Sequence, residues 1–388
     1  MKQTCIMLVA AEPSGDLLGA HLMQALRGRL GRSVRFVGVG GPLMKAEGLG
    51  SLFDITELSI WGWAEGLKAY PKVVRRADQT AALAVREKPD AAVLIDSWGF
   101  TLRVGQRLRR RLPRLLLIKY VGPQVWAARP GRAKTLAKTF DHLLSILSFD
   151  APYFERHGLA VTKVGNPHLM RSFAAADAER ARKRLGADRD DQILLVLPGS
   201  RLSEVERLMA PFGEAVTLLK RGRPGLQVVL AAAPSVAEAI KAKAAEWAFA
   251  PHIVEGEGPK LDAMKAATVA LACSGTVTTE LALAGCPMVV AYKVSRLSAA
   301  LIRMVIKTRF ITLLNIAVGR AVVPELVQDQ CQPTALAQAL AARLDDPHLR
   351  QEQIAAQNQA LAAMGARDGP DPSEKAAKVI VELLNGSA

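Results

Sequence analysis

The chain has 388 residues, half of them hydrophobic and 22% charged, with 30 glycines and 21 prolines. This excludes a disordered chain, a collagen-like repeat and a coiled coil, and the length fits two domains of about 150–200 residues each. The formal net charge is +15, and the four cysteines, Cys5, Cys273, Cys286 and Cys331, form no CxxC pair, so neither a disulfide framework nor a Cys-based zinc site is expected, which suggests a reducing compartment.

In chain order, the opening residues MKQTCIMLVAAEPSGD hold a short apolar run that leads into a polar loop, so a first strand is expected there and not a signal peptide. Further strands are expected at Arg35–Val39, Ala91–Ile95, Leu115–Tyr120, Leu143–Leu147 and Val161–Val164. A second series follows at Ile193–Leu197, Gln227–Ala231, Ile253–Glu255, Val269–Ala272 and Met288–Tyr292. Amphipathic segments such as Leu17–Arg29, Tyr70–Glu87 and Ser203–Arg221 separate them. Continuous apolar runs alternating with helices read as buried parallel strands in βαβ units, so the expected fold is α/β with two Rossmann-like doubly wound sheets. The boundary is expected near Gly165-Asn166-Pro167, giving domains at 1–166 and 167–350 and C-terminal helices at 351–388, the last of which is a candidate to cross back to the first domain. The longest stretches without a charge have 14 residues, short of the roughly 18 that a membrane helix needs, so a soluble or surface-bound protein is expected.

The charge is uneven. Residues 1–165 carry a net +12 and the remainder +3, and Thr101–Lys138 holds 11 basic residues and no acid. Such a run reads either as a solvated helix face or as a field for anionic partners: lipid, nucleic acid or a phosphorylated substrate. A nucleic-acid partner is not expected, because no zinc finger, RNP pattern or helix-turn-helix signal accompanies the charge.

Ligands of doubly wound sheets bind beyond the carboxyl ends of the strands, and the informative loops stand there. The first strand runs into Glu12-Pro13-Ser14-Gly15-Asp16, which is no GxGxxG fingerprint. Ser14 or Asp16 either caps the next helix or, with Glu12 and Gly15, meets a substrate. Asp96 directly follows an apolar strand, where a carboxylate serves as a helix cap or a general base. Trp126, in the loop after Tyr120, reads equally as packing or as an apolar surface. In the second half, Gly199-Ser200-Arg201 joins a strand to a helix; its N–H groups and guanidinium suit a phosphate, and a capping box Ser203-to-Glu206 is compatible with that. Ser274-Gly275-Thr276 repeats the pattern, with Glu280 one turn along the helix, placed for ribose hydroxyls. Two such loops in one domain point to a nucleotide diphosphate.

Together these loops resemble the lipid-A-disaccharide synthase family, bacterial glycosyltransferases of GT-B architecture. The resemblance rests on Glu12 to Asp16, Gly38-Val39-Gly40-Gly41-Pro42, Ile95-Asp96, Tyr120-Val121, Pro123 with Val125-Trp126-Ala127, Leu197 to Arg201 with Glu204-Val205-Glu206, Ser274 to Glu280, Cys286 to Val290, and Asn315 with Gly319-Arg320. Gly122, Ala128, Trp61 and Trp63 depart from the family pattern. The resemblance implies an active site in an interdomain cleft and an inverting transfer. The partners would be UDP-2,3-diacylglucosamine as donor and 2,3-diacylglucosamine 1-phosphate as acceptor. It places Asp96 as the catalytic aspartate, and Arg201, Glu280 and Asn315 at the UDP end. A UDP-sugar enzyme or epimerase acting on a soluble substrate is the alternative on the same fold.

The chemistry needs a base for the acceptor hydroxyl, for which Asp96 is first and Glu12 or Asp16 the reserve. The leaving UDP needs its charge neutralised by Arg201 and two helix N-termini. No Asp-x-Asp pair follows a strand and no histidines stand at metal spacing, so neither an essential metal nor a cofactor is expected. Trp61, Trp63, Leu67 and Tyr70 lie among Lys68, Lys72, Arg75 and Arg76, and Leu297–Ile306 has a similar character. Either is core helix or an acyl-chain and membrane contact. The expected location is the cytoplasm, peripherally on the anionic inner membrane, and a homo-oligomer is compatible with the chain.

Overall fold

The computed structural model describes residues 3–31, 33–58, 63–295, 308–366 and 371–386, with backbone only for 63–69. The chain forms two units by its contacts, one of 1–167 with 368–388 and one of 168–367.

In the first unit the strands are β1 (Cys5–Val9), β2 (Arg35–Val39), β3 (Gly50–Ser51), β4 (Ala91–Ile95), β5 (Leu116–Tyr120), β6 (His142–Ser145) and β7 (Ala160–Lys163). They form one parallel sheet in the order β3-β2-β1-β4-β5-β6-β7. The second unit has β8 (Ile193–Leu197), β9 (Gln227–Ala232), β10 (His252–Glu255), β11 (Val269–Cys273), β12 (Met288–Tyr292) and β13 (Glu325–Val327), in the order β10-β9-β8-β11-β12-β13. Both sheets are doubly wound. The winding reverses between β1 and β4 in the first and between β8 and β11 in the second, which leaves a crevice at each switch point.

The strands are apolar on both faces because helices cover both. Met7 and Val9 enter one core layer of the first unit, and Ile6, Leu8 and Ala10 enter the other. In β8, Leu194 and Val196 face one layer while Ile193, Leu195 and Leu197 face the opposite one. Sequence reading missed only the two short edge strands β3 and β13 among these strands. Neither carries a continuous apolar run, the signal on which the others were found.

Residues 351–388 divide between the units. The helix Pro347–Met364 packs in the second, with Ala360, Leu361 and Met364 in its core. The helix Pro372–Gly386 belongs to the first. It buries Ala376, Ala377 and Ile380 in the same layer as Leu18, Leu22 and Leu26 of the helix Pro13–Leu30, and Glu374 pairs with Arg29 at 3.0 Å.

Candidate active site

In the first unit Ser14, after β1, and Asp96, after β4, meet at the switch point. Asp96 and Ser97 both have left-handed backbones, φ 46° and 43°, which costs a non-glycine residue about 1–2 kcal/mol. The turn is held by named bonds. The Asp96 N–H donates to the Tyr120 carbonyl at 2.9 Å, and the Asp96 carbonyl accepts from Thr101 Oγ1 at 2.7 Å and from Lys119 Nζ. The Asp96 carboxylate does not cap the helix Trp98–Arg111, whose cap residue is Ser97. It stays half-buried and accepts from Ser14 Oγ at 3.3 Å. Glu12 is exposed, at the cap position of the Pro13–Leu30 helix, with no side-chain bond to it.

Asp16 corrects the expectation. It is 2% exposed, and its oxygens accept from the N–H groups of Gly41 (2.7 Å), Leu43 (2.9 Å) and Met44 (3.1 Å). It caps the neighbouring helix Pro42–Ala46 and is not placed as a base. Gly41 has to be glycine because a Cβ there would stand 2.5 Å from Asp16 Oδ2. Gly15 is also buried and turns toward Ala10 and Ile95, so it serves close packing of helix on sheet. Trp126, expected as an acyl contact, is 9% exposed and packs edge-on against Phe149 at 5.3 Å. Tyr70 is half exposed under the Arg103 guanidinium at 5.0 Å. Trp61 and Leu297–Ile306 lie outside the described residues, as do the side chains of Trp63 and Leu67.

In the second unit a cavity of about 440 Å³ opens at the β8/β11 switch point, lined by Gly199, Ser200, Arg201, Ser274, Gly275, Thr276 and Glu280. That size lies within the range of about 300–1,000 Å³ common for small-ligand sites. The helix after β8 starts at Leu202, so the expected box at Ser203 and Glu206 moves to Arg201 and Glu204. Glu204 Oε2 accepts from the N–H groups of Ser200 (3.0 Å) and Arg201 (3.2 Å), and Oε1 meets Arg201 Nη1 at 3.1 Å. Two N–H groups expected to cradle phosphate are therefore occupied by a carboxylate. The rest of the Arg201 guanidinium, whose side chain is 67% exposed, keeps donors for an anion. Gly199, at φ +122°, lets Glu204 approach: a Cβ would fall 2.5 Å from Oε2.

Ser274 N–H bonds to the Ala291 carbonyl at 3.2 Å, while Gly275 and Thr276 open the helix Thr276–Leu283, whose first N–H groups have no partner within the helix. Glu280 lies on the cavity wall but is not alone. Its carboxylate pairs with Arg171 and, at 3.1 Å, with Lys260, and both cations also pair with Glu257. Sequence reading missed Lys260, Glu257 and Arg171, because no motif marks them and three separate segments bring them together.

Asn315 is another correction. It is fully buried, its Nδ2 donates to the Val323 carbonyl (2.9 Å) and Glu325 Oε1 (2.8 Å), and its Oδ1 accepts from the N–H groups of Val322 (2.7 Å) and Val323 (2.9 Å). All four hydrogen-bonding positions are used in tying its own loop, and none faces the cavity. Among the described residues no three His, Cys, Asp or Glu side chains come together to hold a metal ion, and no helix is long and apolar enough to cross a membrane.

The family model of lipid-A-disaccharide synthetase matches residues 6–379. The chain belongs to this family. It is a glycosyltransferase of lipid A biosynthesis. The lipid-A-disaccharide synthase of Rhodospirillum centenum is 45% identical over 99% of this chain and 96% of its own, and that of Paramagnetospirillum magneticum 44% identical over 98% and 97%. Among solved structures, S. aureus MnaA with UDP superposes at a TM-score of 0.65 with 14% identity, covering 99% of this chain and 97% of its own. MurG of Acinetobacter baumannii gives 0.59 with 14% identity over 98% and 100%. At such identities the likeness is one of fold, and that fold is the GT-B class of two Rossmann-like domains. Membership of the synthase family gives the two switch-point sites a reaction to serve.

Proposed function

We propose that this enzyme joins two acylated sugars. The 6-hydroxyl oxygen of 2,3-diacylglucosamine 1-phosphate attacks C1 of the 2,3-diacylglucosamine unit of the UDP donor, the C1–O bond to UDP breaks, and the configuration at C1 inverts. The products are the β-1,6-linked disaccharide 1-phosphate and UDP. The observation that supports this reading most is Asp96, set at the end of β4 in a chain whose family match runs through it.

Asp96 takes the proton of the attacking hydroxyl, and Ser14, already bonded to it, orients its carboxylate. Residues 1–166 supply the acceptor side and 167–350 the donor side. At the β8/β11 cavity, Arg201 and Lys260 face the charge that develops on the leaving diphosphate. The first-turn N–H groups of the helix Thr276–Leu283 add to that field. Glu280, fixed by Arg171 and Lys260, has lone pairs left for ribose hydroxyls. The acyl chains make the anionic cytoplasmic face of the inner membrane the place of work.

The test is a disaccharide-forming assay with both acylated substrates, read by thin-layer chromatography. Asp96→Asn is expected to lower kcat by about 10²–10⁴-fold, the range for loss of a general base. A folded Asp96→Asn enzyme with wild-type turnover would move the base to Glu12.

A further inference from the structure

Lys119 is the fourth residue of β5 and, among the described residues, the only lysine with a fully buried side chain, 1% exposed. Its strand neighbours are apolar, Leu94 on β4 and Leu143 on β6. Its ammonium reaches the carbonyl of Asp96 and, at 2.8 Å, Thr101 Oγ1 on the helix Trp98–Arg111. The charged groups that face it are the carboxylates of Asp96, after β4, and Glu12, after β1. Burial pushes its pKa down to about 7, against the pull of those two carboxylates.

A buried lysine beneath an apolar sheet face costs stability, because the charge loses its water and only part of that loss is returned. The Asp96 turn does not need it for satisfaction, since Thr101 Oγ1 already reaches the same carbonyl. What Lys119 adds is a fixed, charge-assisted anchor under two consecutive left-handed residues, the first of which carries the carboxylate.

We propose that Lys119 is a positioning residue for Asp96: it holds the carbonyl of the Asp96 turn from below and so keeps the carboxylate where the acceptor hydroxyl arrives. This rests on the reading of Asp96 as the base. Lys119 touches neither substrate. Its effect falls on the chemical step and not on donor binding.

The experiment compares wild type, Lys119→Met, Lys119→Gln and Asp96→Asn by thermal unfolding between pH 6 and pH 9.5 and by steady-state kinetics with both substrates. Met fills the volume without a donor; Gln restores a neutral donor. Because the folded-state pKa of Lys119 lies below its unfolded value, the folded state binds fewer protons between the two, and the stability deficit is largest at low pH. Lys119→Met is therefore expected to unfold at a higher temperature than wild type at pH 6, with the difference shrinking toward pH 9.5. Its kcat falls about 10–100-fold, the scale of a small misplacement at a reacting group, with KM for the UDP donor unchanged. Lys119→Gln recovers part of kcat. A residue with only a structural role would lose stability and activity together.

Wild-type kcat in a folded Lys119→Met overturns the proposal, and so does a loss confined to donor KM. If Lys119→Met does not fold, Lys119→Gln carries the same test: an unchanged kcat overturns the proposal and a reduced kcat at unchanged donor KM supports it. An active Asp96→Asn enzyme would instead remove the base assignment, and the positioning role with it.

Discussion

At the scale of single residues, acidic groups with similar sequence settings have separate fates. Asp96, on a left-handed turn, keeps its carboxylate half-buried with Ser14 Oγ as its hydrogen-bond donor. Asp16 loses its own to three N–H groups of a neighbouring helix. Asp150 is a third case. It is 2% exposed and accepts from Ser145 Oγ, yet burial pushes its pKa up to about 6. A carboxyl whose folded-state pKa lies above the unfolded value of 3.8 stabilises fully only below that value, and the contribution is lost as pH rises through about 6. At pH 8 its charge therefore costs about 3 kcal/mol. Asp150→Asn keeps an acceptor for Ser145 and removes that cost. Its melting temperature is expected to exceed wild type by several degrees at pH 8 and to match it near pH 4; the reverse trend in a pH series of thermal melts would refute the assignment.

At the scale of elements, each crevice is made by a strand end, a short loop and a helix start. The loop after β8 shows how a helix cap can take N–H groups that its sequence offers to an anion. Glu204 takes those of Ser200 and Arg201 and leaves donors of the guanidinium for an anion. The C-terminal helix Pro372–Gly386 acts on the core of the first unit, although the whole second unit, residues 168–367, intervenes in sequence. Ile380 is fully buried in that layer. Ile380→Ala is expected to destabilise the first unit by about 2–5 kcal/mol. Denaturant unfolding followed through the tryptophans of that unit would report it. A change below 0.5 kcal/mol, by the same scale for weakly packed sites, would mean that this helix does not hold the core.

At the scale of the whole molecule, the basic run is tempered by partners distant in sequence. The helix Trp98–Arg111 carries five arginines, of which Arg107 and Arg111 share Asp78 and Arg109 pairs with Asp141. The net +12 of residues 1–165 survives this pairing, since Asp78 and Asp141 are already counted in it. An exposed positive field of that kind attracts anionic lipid at about 1 kcal/mol per basic residue near the surface and is screened within roughly 10 Å at 0.1 M salt. The protein is expected to co-sediment with vesicles rich in phosphatidylglycerol at low ionic strength, to be released by salt near 0.5 M, a Debye length of only a few ångströms, and to ignore neutral vesicles. Failure to bind anionic vesicles at low salt would remove the membrane-surface reading.

The sequence by itself determined the elements and the loops that matter. Runs such as Ile6–Val9 and Leu194–Leu197 are apolar without alternation, as a strand covered on both faces requires. Glu12, Asp96, Arg201 and Glu280 could be singled out because they stand just beyond the carboxyl ends of such strands, where ligands of doubly wound sheets gather. Tertiary structure decided which polar groups remain available. Asp16 meets Gly41 across 25 residues, Lys119 meets the Asp96 carbonyl across 23, and Arg171 meets Glu280 across 109. Lys119 did leave one trace, a charge inside the strand Leu-Leu-Ile-Lys-Tyr. The physical reason for the division is range. Hydrophobic periodicity is a local property that the chain carries along its length. The partner that satisfies or frees a carboxylate is set by which distant backbone N–H or cation the packing brings within about 3 Å.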